Sequence, residues 1–356
     1  MPVKVGDHYS FIIDRTIPEL LKTNGDITGR ELQKFILILA RSGVDYVEVN
    51  SSALAVLEYL PSTVSFIFRV EKPEDLYKYK GSRLPYCVMD SDLVQDKTLA
   101  KRFSRIKMKA IVEFEFTGPG DLQKLELING CAGWRWVDAV RISGLSHAFL
   151  PEWHQAVEEV RKLKVKVDIC PHNRYYLASS TALELTGKGD TIDFVTVAFS
   201  GMGGLYGFAA LEELVMGLKV IKKVEIPGDT ALFSHLSKLY QDLSKRCIKN
   251  NKAIIGSSIF KYESGIHADG IEKNPLTYEP FDPGMVGQAR KLVLGKHSGS
   301  RSVISKLKEL NLEIPEEYTS LILEWVRSSS AQLKREIYDY ELARLCQRLT
   351  NGLPLI

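Results

Sequence analysis

No stretch of this chain approaches the ~18 consecutive apolar residues that a membrane-spanning helix needs, so no membrane partner is expected. Cysteine is sparse and odd in number: Cys87, Cys131, Cys170, Cys247 and Cys346 lie far apart, with no Cys-x-x-Cys pair. That argues against a disulfide framework or a paired-cysteine metal site and fits a reduced cytoplasm. Charge of either sign is not in excess, since 47 Lys and Arg against 44 Asp and Glu leave only +3. Nucleic-acid binding through a basic surface is therefore not expected. The N-terminal run Met1-Pro2-Val3-Lys4-Val5-Gly6-Asp7 lacks the apolar core of a signal peptide. No Gly-x-Gly-x-x-Gly follows the first strand-like run, which weakens a dinucleotide-binding reading. No phosphate-binding loop and no Ser-His-Asp order appear either. What remains is ordinary globular material: 356 residues, 45% of them hydrophobic, enough for one large domain with an appendage or for two domains.

The first ~220 residues alternate short apolar runs with amphipathic stretches. Strand candidates are Phe11–Ile13, Tyr46–Val49, Ser65–Val70, Tyr86–Met89, Ala110–Phe116, Val137–Ile142, Val165–Cys170 and Phe194–Phe199. Between them, Thr28-Gly29-Arg30-Glu31 reads as a capping box. Leu32, Phe35, Ile36 and Leu39 then recur at helical spacing, and Gly43 can close that helix in a left-handed turn. Further helices are expected over Glu152–Leu163 and Tyr206–Leu218. Eight strands, most separated by a helix, favour a closed parallel (β/α)8 barrel over a doubly wound open sheet. The barrel domain is placed at 1–224. Residues 225–310, with short helical pieces and Gly/Pro-rich loops, read as a linker and lid subdomain, and 311–356 as a helical segment whose apolar face carries Leu342, Leu345 and Leu349.

Three motifs stand out in the middle segment: Glu263-Ser264-Gly265-Ile266-His267-Ala268-Asp269-Gly270, Asn274-Pro275-Leu276-Thr277-Tyr278-Glu279-Pro280-Phe281, and Gly295-Lys296-His297-Ser298-Gly299. Taken alone, a histidine among glycines is either a loop-packing residue or a proton shuttle. Lys296 and His297 read either as anion contacts or as loop packing. Together the motifs closely resemble the lid subdomain of homocitrate synthases and isopropylmalate synthases. Those enzymes join acetyl-CoA to a 2-oxo acid on a metal-bearing (β/α)8 barrel. The resemblance implies that His267 and Tyr278 are catalytic and handle protons. It also implies an interlocked dimer in which the lid closes over the partner chain's barrel.

The barrel resembles the family more weakly. Asp14-Arg15-Thr16-Ile17-Pro18-Glu19 aligns with a family pattern whose acidic residue binds the metal and whose arginine stabilises enolate charge. Glu19 keeps the acidic position, but Pro18 replaces the arginine and can supply neither charge nor donor. Cys170-Pro171-His172-Asn173-Arg174 aligns with His-x-His-Asn-Asp, so Cys170 takes the first histidine's place and His172 the second's. The i, i+2 spacing puts both side chains on one face of a strand. A thiolate suits Zn²⁺ better than Mg²⁺ or Mn²⁺. Glu19, Cys170 and His172 are therefore either a three-ligand metal site or a carboxylate, a buried thiol and a satisfied histidine. Gly201-Met202-Gly203-Gly204-Leu205-Tyr206-Gly207-Phe208 keeps the glycines of the family's Gly-x-Gly-Glu-Arg-x-Gly-Asn and loses its polar residues. Arg141-Ile142-Ser143-Gly144-Leu145 lacks the family's Asp-Thr. Arg15 and Arg174 are both candidates to compensate for the missing arginine. Trp134-Arg135-Trp136 offers stacking surface or core packing, and Arg161–Lys166 reads as a helix end.

The sequence thus leads to a (β/α)8 TIM barrel followed by a small lid subdomain and C-terminal helices, nearest in resemblance to nitrogen-fixation-type homocitrate synthases. The resemblance implies an acyltransferase using acetyl-CoA and a 2-oxo acid, 2-oxoglutarate first, with a divalent metal. The chain is expected to act as a homodimer or as a heteromer with a catalytic paralogue. In the second case it is a non-catalytic subunit that donates His267 and Tyr278. A barrel repurposed to bind another ligand is the remaining alternative.

Overall fold

The structure is a computed structural model that describes residues 2–5, 7–78, 84–94, 108–116, 124, 126–127, 130, 135–144, 151–186 and 192–351. Trp134, Cys131 and Leu145 lie outside the described residues. The chain divides into two compact units: residues 1–249 with 253–255, and residues 250–252 with 256–356.

The first unit is a closed barrel. A short strand β1 (Val3–Val5) pairs antiparallel with β2 (His8–Asp14). From β2 onward all pairings are parallel and sequential: β3 (Tyr46–Val49), β4 (Phe66–Val70), β5 (Tyr86–Asp90), β6 (Lys109–Glu115), β7 (Val137–Gly144), β8 (Lys166–Pro171) and β9 (Phe194–Val197). Strand β9 returns to β2 in register, Phe11 opposite Phe194 and Ile13 opposite Thr196. This is the eight-stranded (β/α)8 barrel that the strand count favours. Its strands are short apolar runs because a parallel barrel buries both faces of each strand; every residue of β4 and β9 is buried.

Helices pack outside. The helix Gly29–Arg41 begins at the expected capping box: the Thr28 N–H donates to Glu31 and the Glu31 N–H to the Thr28 hydroxyl. Leu32, Phe35, Ile36 and Leu39 are all buried, and Gly43 follows at φ +103°. The expected helix over Glu152–Leu163 is found at Pro151–Lys162. The helix expected from Tyr206 starts only at Leu211. Tyr206 instead lies in a turn, Gly207 takes φ +84°, and Phe208 bridges to His172 and Ala210 to Ala198.

Alternate residues point inward along each strand, and they fill the barrel in layers. Phe11, Tyr46, Tyr86 and Phe194 form an aromatic floor, and Ile13, Ile67, Val88, Ile111 and Ala139 lie with them in one apolar cluster. One step further along the strands the inward residues are charged: Glu48, Arg69, Glu113, Arg141 and Asp168, all buried.

The second unit has its own core. Leu294, Val303, Ile322, Val326, Leu342, Leu345 and Leu349 pack together, drawn from the helices Ser300–Glu309, Thr319–Leu333 and Asp339–Thr350 and the loop before them. The expected apolar face Leu342/Leu345/Leu349 is buried there. Two short parallel strands, β10 (Lys261–Tyr262) and β11 (Lys291–Leu292), complete it.

Candidate functional site

Functional side chains of a parallel barrel gather at the C-terminal ends of its strands. Here that end opens into a cavity of about 630 Å³ lined by Arg15, Glu19, Arg69, Glu113, His172 and Phe208, among others. Beneath it the charged layer forms one buried network. Arg141 Nε donates to Asp168 at 2.6 Å and its Nη1 to Glu48 at 2.9 Å. Arg69 bonds Glu48 and Glu113. Burial alone would raise the Glu48 carboxyl, but the charges of Arg69 and Arg141 outweigh it and hold it down to about 2. Burial likewise opposes ionisation of Glu113, and Arg69, Arg15 and Arg141 hold it well below the usual carboxylate range. Each of these carboxylates has a guanidinium partner, and removing one partner of such a buried pair costs ~3–5 kcal/mol.

Arg15 sits on top of this layer, two residues beyond the inward-facing Ile13. Its guanidinium donates to Glu113 Oε1 at 3.3 Å, to Cys170 Sγ at 3.3 Å and to Glu19 Oε1 at 3.4 Å. The Phe208 ring covers its face, with the guanidinium carbon 4.1 Å from the ring centroid, a favourable cation–π geometry. Phe208 also meets His172 edge-on at 5.1 Å, and His172 Nδ1 lies 3.5 Å from Glu115. Burial, then the charge of Arg15, push the His172 imidazole below its ordinary value. Burial pushes the Cys170 thiol up to about 11, so it is protonated at neutral pH. Of the two candidate compensating arginines, Arg15 faces the cavity. Arg174 is exposed, with its guanidinium against the Tyr175 and Tyr206 rings.

The three residues predicted as metal ligands do not fit a divalent ion as they stand. Glu19 and Cys170 converge, but on the Arg15 guanidinium, while His172 turns to Phe208 and Glu115. Metal–ligand distances are ~2.0–2.6 Å and need deprotonated sulfur. Here a permanent cation already occupies the meeting point, and the thiol carries its proton. Among the described residues no group of three or more His, Cys, Asp and Glu is arranged to hold a metal.

The glycines after β9 shape this arrangement. Gly203 has φ +118°, and a Cβ there would lie 2.3 Å from the Phe208 ring and 2.6 Å from Glu19 Cγ. Glu19 Oε2 in turn accepts from the Gly204 N–H at 3.2 Å. Pro18 is buried in the first turn of the helix Thr16–Thr23, where a missing N–H is tolerated.

In the second unit the motif residues come together. His267 lies on the helix Gly265–Lys273, capped by the Ser264 hydroxyl. Its ring centroid is 4.5 Å from that of Tyr278, and the pair lines a cavity of about 180 Å³. Gly270 makes room for this contact, because a Cβ there would lie 2.4 Å from the Tyr278 ring. Both side chains stay open to solvent, Tyr278 at 44%. The loop Gly295–Gly299 is tied down from two sides. The His297 N–H donates to Glu263, and Arg327 donates to the Ser298 carbonyl at 2.7 Å. Lys296 and His297 themselves are exposed, so the packing of this loop is carried by Glu263, Ser298 and Arg327. Arg327 was not singled out from the sequence.

The family profile described as homocitrate synthase post-HMGL domain-like matches residues 254–334, all but the first two of them in the second unit. Over nearly the whole chain, the omega subunit of homocitrate synthase from Clostridium pasteurianum is 34% identical across 342 residues, covering 94% of each chain. The chain belongs to the homocitrate synthase and isopropylmalate synthase family. Other family members match over about half of each chain; 2-isopropylmalate synthase 2 of Caldanaerobacter subterraneus subsp. tengcongensis is 43% identical over 192 residues, 53% of this chain and 50% of its own. Among solved structures, hydroxymethylglutaryl-CoA lyase from Pseudomonas aeruginosa superimposes with a TM-score of 0.55 at 13% identity, covering 69% of this chain and 95% of its own. That likeness shows the barrel fold. No described helix of this family member is long and apolar enough to cross a membrane.

Proposed function

We propose that this chain is the lid-donating subunit of a homocitrate-synthase-type acyltransferase that condenses acetyl-CoA with a 2-oxo acid, 2-oxoglutarate first. The supporting observation is the contrast between its two units. His267 and Tyr278 are paired, solvent-open and held in place by Ser264 and Gly270. The barrel mouth has Pro18 in place of an arginine, and its acidic and thiol groups are bound to Arg15. A paired, open His267–Tyr278 motif beside a barrel mouth whose acidic and thiol groups are taken up by Arg15 fits a chain whose lid acts on a catalytic paralogue's barrel. An imidazole can take a proton from one atom and return it to another. Beside it, a phenol can donate a hydrogen bond to the oxygen that gains charge as the new carbon–carbon bond forms. The name of the omega-subunit relative points the same way.

The test is acetyl-CoA-dependent release of free CoA, measured with 2-oxoglutarate for this chain alone, for an intact paralogue alone and for the two mixed. Activity of the mixture that His267→Ala in this chain lowers by ~10²–10⁴-fold, the usual size of a lost acid–base group, supports the proposal. Turnover by this chain alone, or a mixture indifferent to His267→Ala, sinks it.

A further inference from the structure

Glu19, Glu113 and Cys170 come from three different barrel strands or the loops after them, and their polar atoms face one guanidinium. Arg15 Nη1 donates to Glu113 and Cys170 and Nη2 to Glu19, at 3.3–3.4 Å. We infer that Arg15 is a built-in substitute for a metal ion: its guanidinium takes the cation position at the barrel mouth, and this barrel works as a metal-free scaffold.

Three features carry the inference. The first is charge. Two buried carboxylates pointing at one spot repel each other unless a cation lies between them, and an arginine cannot lose its charge in a protein. A divalent ion entering the same spot would have to expel a buried monovalent one. The second is geometry. Arg15 is 6% exposed and Glu19 5%, and the Phe208 ring covers one side of the guanidinium, its centroid 4.1 Å from the guanidinium carbon, which narrows the approach from the cavity above. Phe208 is held there by its bridge to His172 and by the room that Gly203 leaves. The third is the donor set. His172, the remaining nitrogen donor nearby, is engaged with Phe208 and Glu115. The buried Cys170 sulfur accepts from the Arg15 N–H at 3.3 Å.

The inference predicts a gain of function on deletion. Removing the guanidinium frees the Glu19, Glu113 and Cys170 atoms that it engages, carboxylate and thiol donors suited to Zn²⁺ or Co²⁺. The experiment dialyses the wild-type chain and the Arg15→Ala chain against Co²⁺ and then against buffer. It reads retained metal by elemental analysis and thiolate–cobalt charge transfer by near-ultraviolet absorption. Circular dichroism checks the fold of each. The expected result is a wild type free of cobalt and an Arg15→Ala chain with near-stoichiometric cobalt and a thiolate band, which Cys170→Ser in the same background removes. Arg15→Lys, which keeps the positive charge, is expected to stay free of metal and serves as the readout if Arg15→Ala does not fold. Stoichiometric cobalt in the wild type or in Arg15→Lys overturns the inference, as does a folded Arg15→Ala chain that retains none. These readouts are made on the single chain, so they fail or succeed independently of lid donation, which is judged on the activity of the mixed complex.

Discussion

At the scale of single residues, the barrel interior is governed by buried charges. Arg141 is fully buried and shared between Glu48 and Asp168, and Arg15 completes the set above. Asp14 lies outside this network and behaves differently. Its carboxylate accepts from the Thr16 N–H at 2.8 Å and from the Thr16 hydroxyl at 2.9 Å. Burial nevertheless pushes it from the ordinary 3.8 up to about 7. Between those two values the unfolded chain has released this proton while the folded chain keeps it. By linkage, the Asp14 contribution to stability then falls as pH rises from about 4 to about 7 and is flat above. Asp14→Asn keeps an acceptor for the Thr16 N–H and cannot ionise. Urea unfolding of both proteins at a series of pH values should show the variant gaining on the wild type across that window. A constant offset between the two curves from pH 4 to 7 would show that Asp14 does not carry a raised pKa.

At the scale of elements, the loop between β9 and the helix Leu211–Met216 decides what the barrel mouth contains. Gly203 and Gly204 both have positive φ, but they differ in surroundings. A Cβ on Gly203 would collide with the Phe208 ring and Glu19, whereas one on Gly204 would meet only the Phe208 ring tip at 3.6 Å. Gly203→Ala is therefore expected to cost ~2–4 kcal/mol, combining left-handed strain with overpacking. Gly204→Ala should cost only the strain, ~1–2 kcal/mol. Denaturant titrations of the two variants that show equal losses would mean that Phe208 is not seated where the contacts place it. This loop is also where reading from sequence broke down. Tyr206–Ala210 has spacing compatible with a helix, but the positive φ of Gly207 and the bridges to His172 and Ala198 override it. The eight strands, by contrast, were legible to within three residues at each end, because each is an apolar, β-branched run bounded by polar residues. The charged layer was written there too, as one charge inside each of Val47-Glu48-Val49, Phe68-Arg69-Val70, Val112-Glu113-Phe114, Val140-Arg141-Ile142 and Val167-Asp168-Ile169. Which charge pairs with which is not legible, since it depends on barrel closure and strand register. The same holds for Arg15. Its neighbours in sequence align with a metal-binding pattern, and only the fold shows its side chain among Glu19, Glu113 and Cys170.

At the scale of the whole molecule, the two units differ in what stabilises them and in what they carry. The barrel depends on a buried ionic layer closed by strands distant in sequence. The second unit depends on a local apolar core, Leu294 to Leu349, with side-chain ties at its edges: Arg335 to Glu341 at 2.7 Å and Lys306 to Asp339 at 3.1 Å. Its two longest helices each bury one face against that core, the arrangement that gives helices most of their stability. The profile match over 254–334 falls inside it from residue 256 on, and the motif residues Glu263, His267, Tyr278 and Ser298 all belong to it. A fragment of residues 250–356 is accordingly expected to fold without the barrel, showing helical circular dichroism and one cooperative thermal transition. If the fragment melts without cooperativity, the apolar core is not sufficient, and the lid motifs are positioned by the barrel after all. If it melts cooperatively, the geometry of His267 and Tyr278 is set within the second unit alone. A His267–Tyr278 pair preassembled in this way could be presented to a partner's barrel, which is what the proposed lid donation requires.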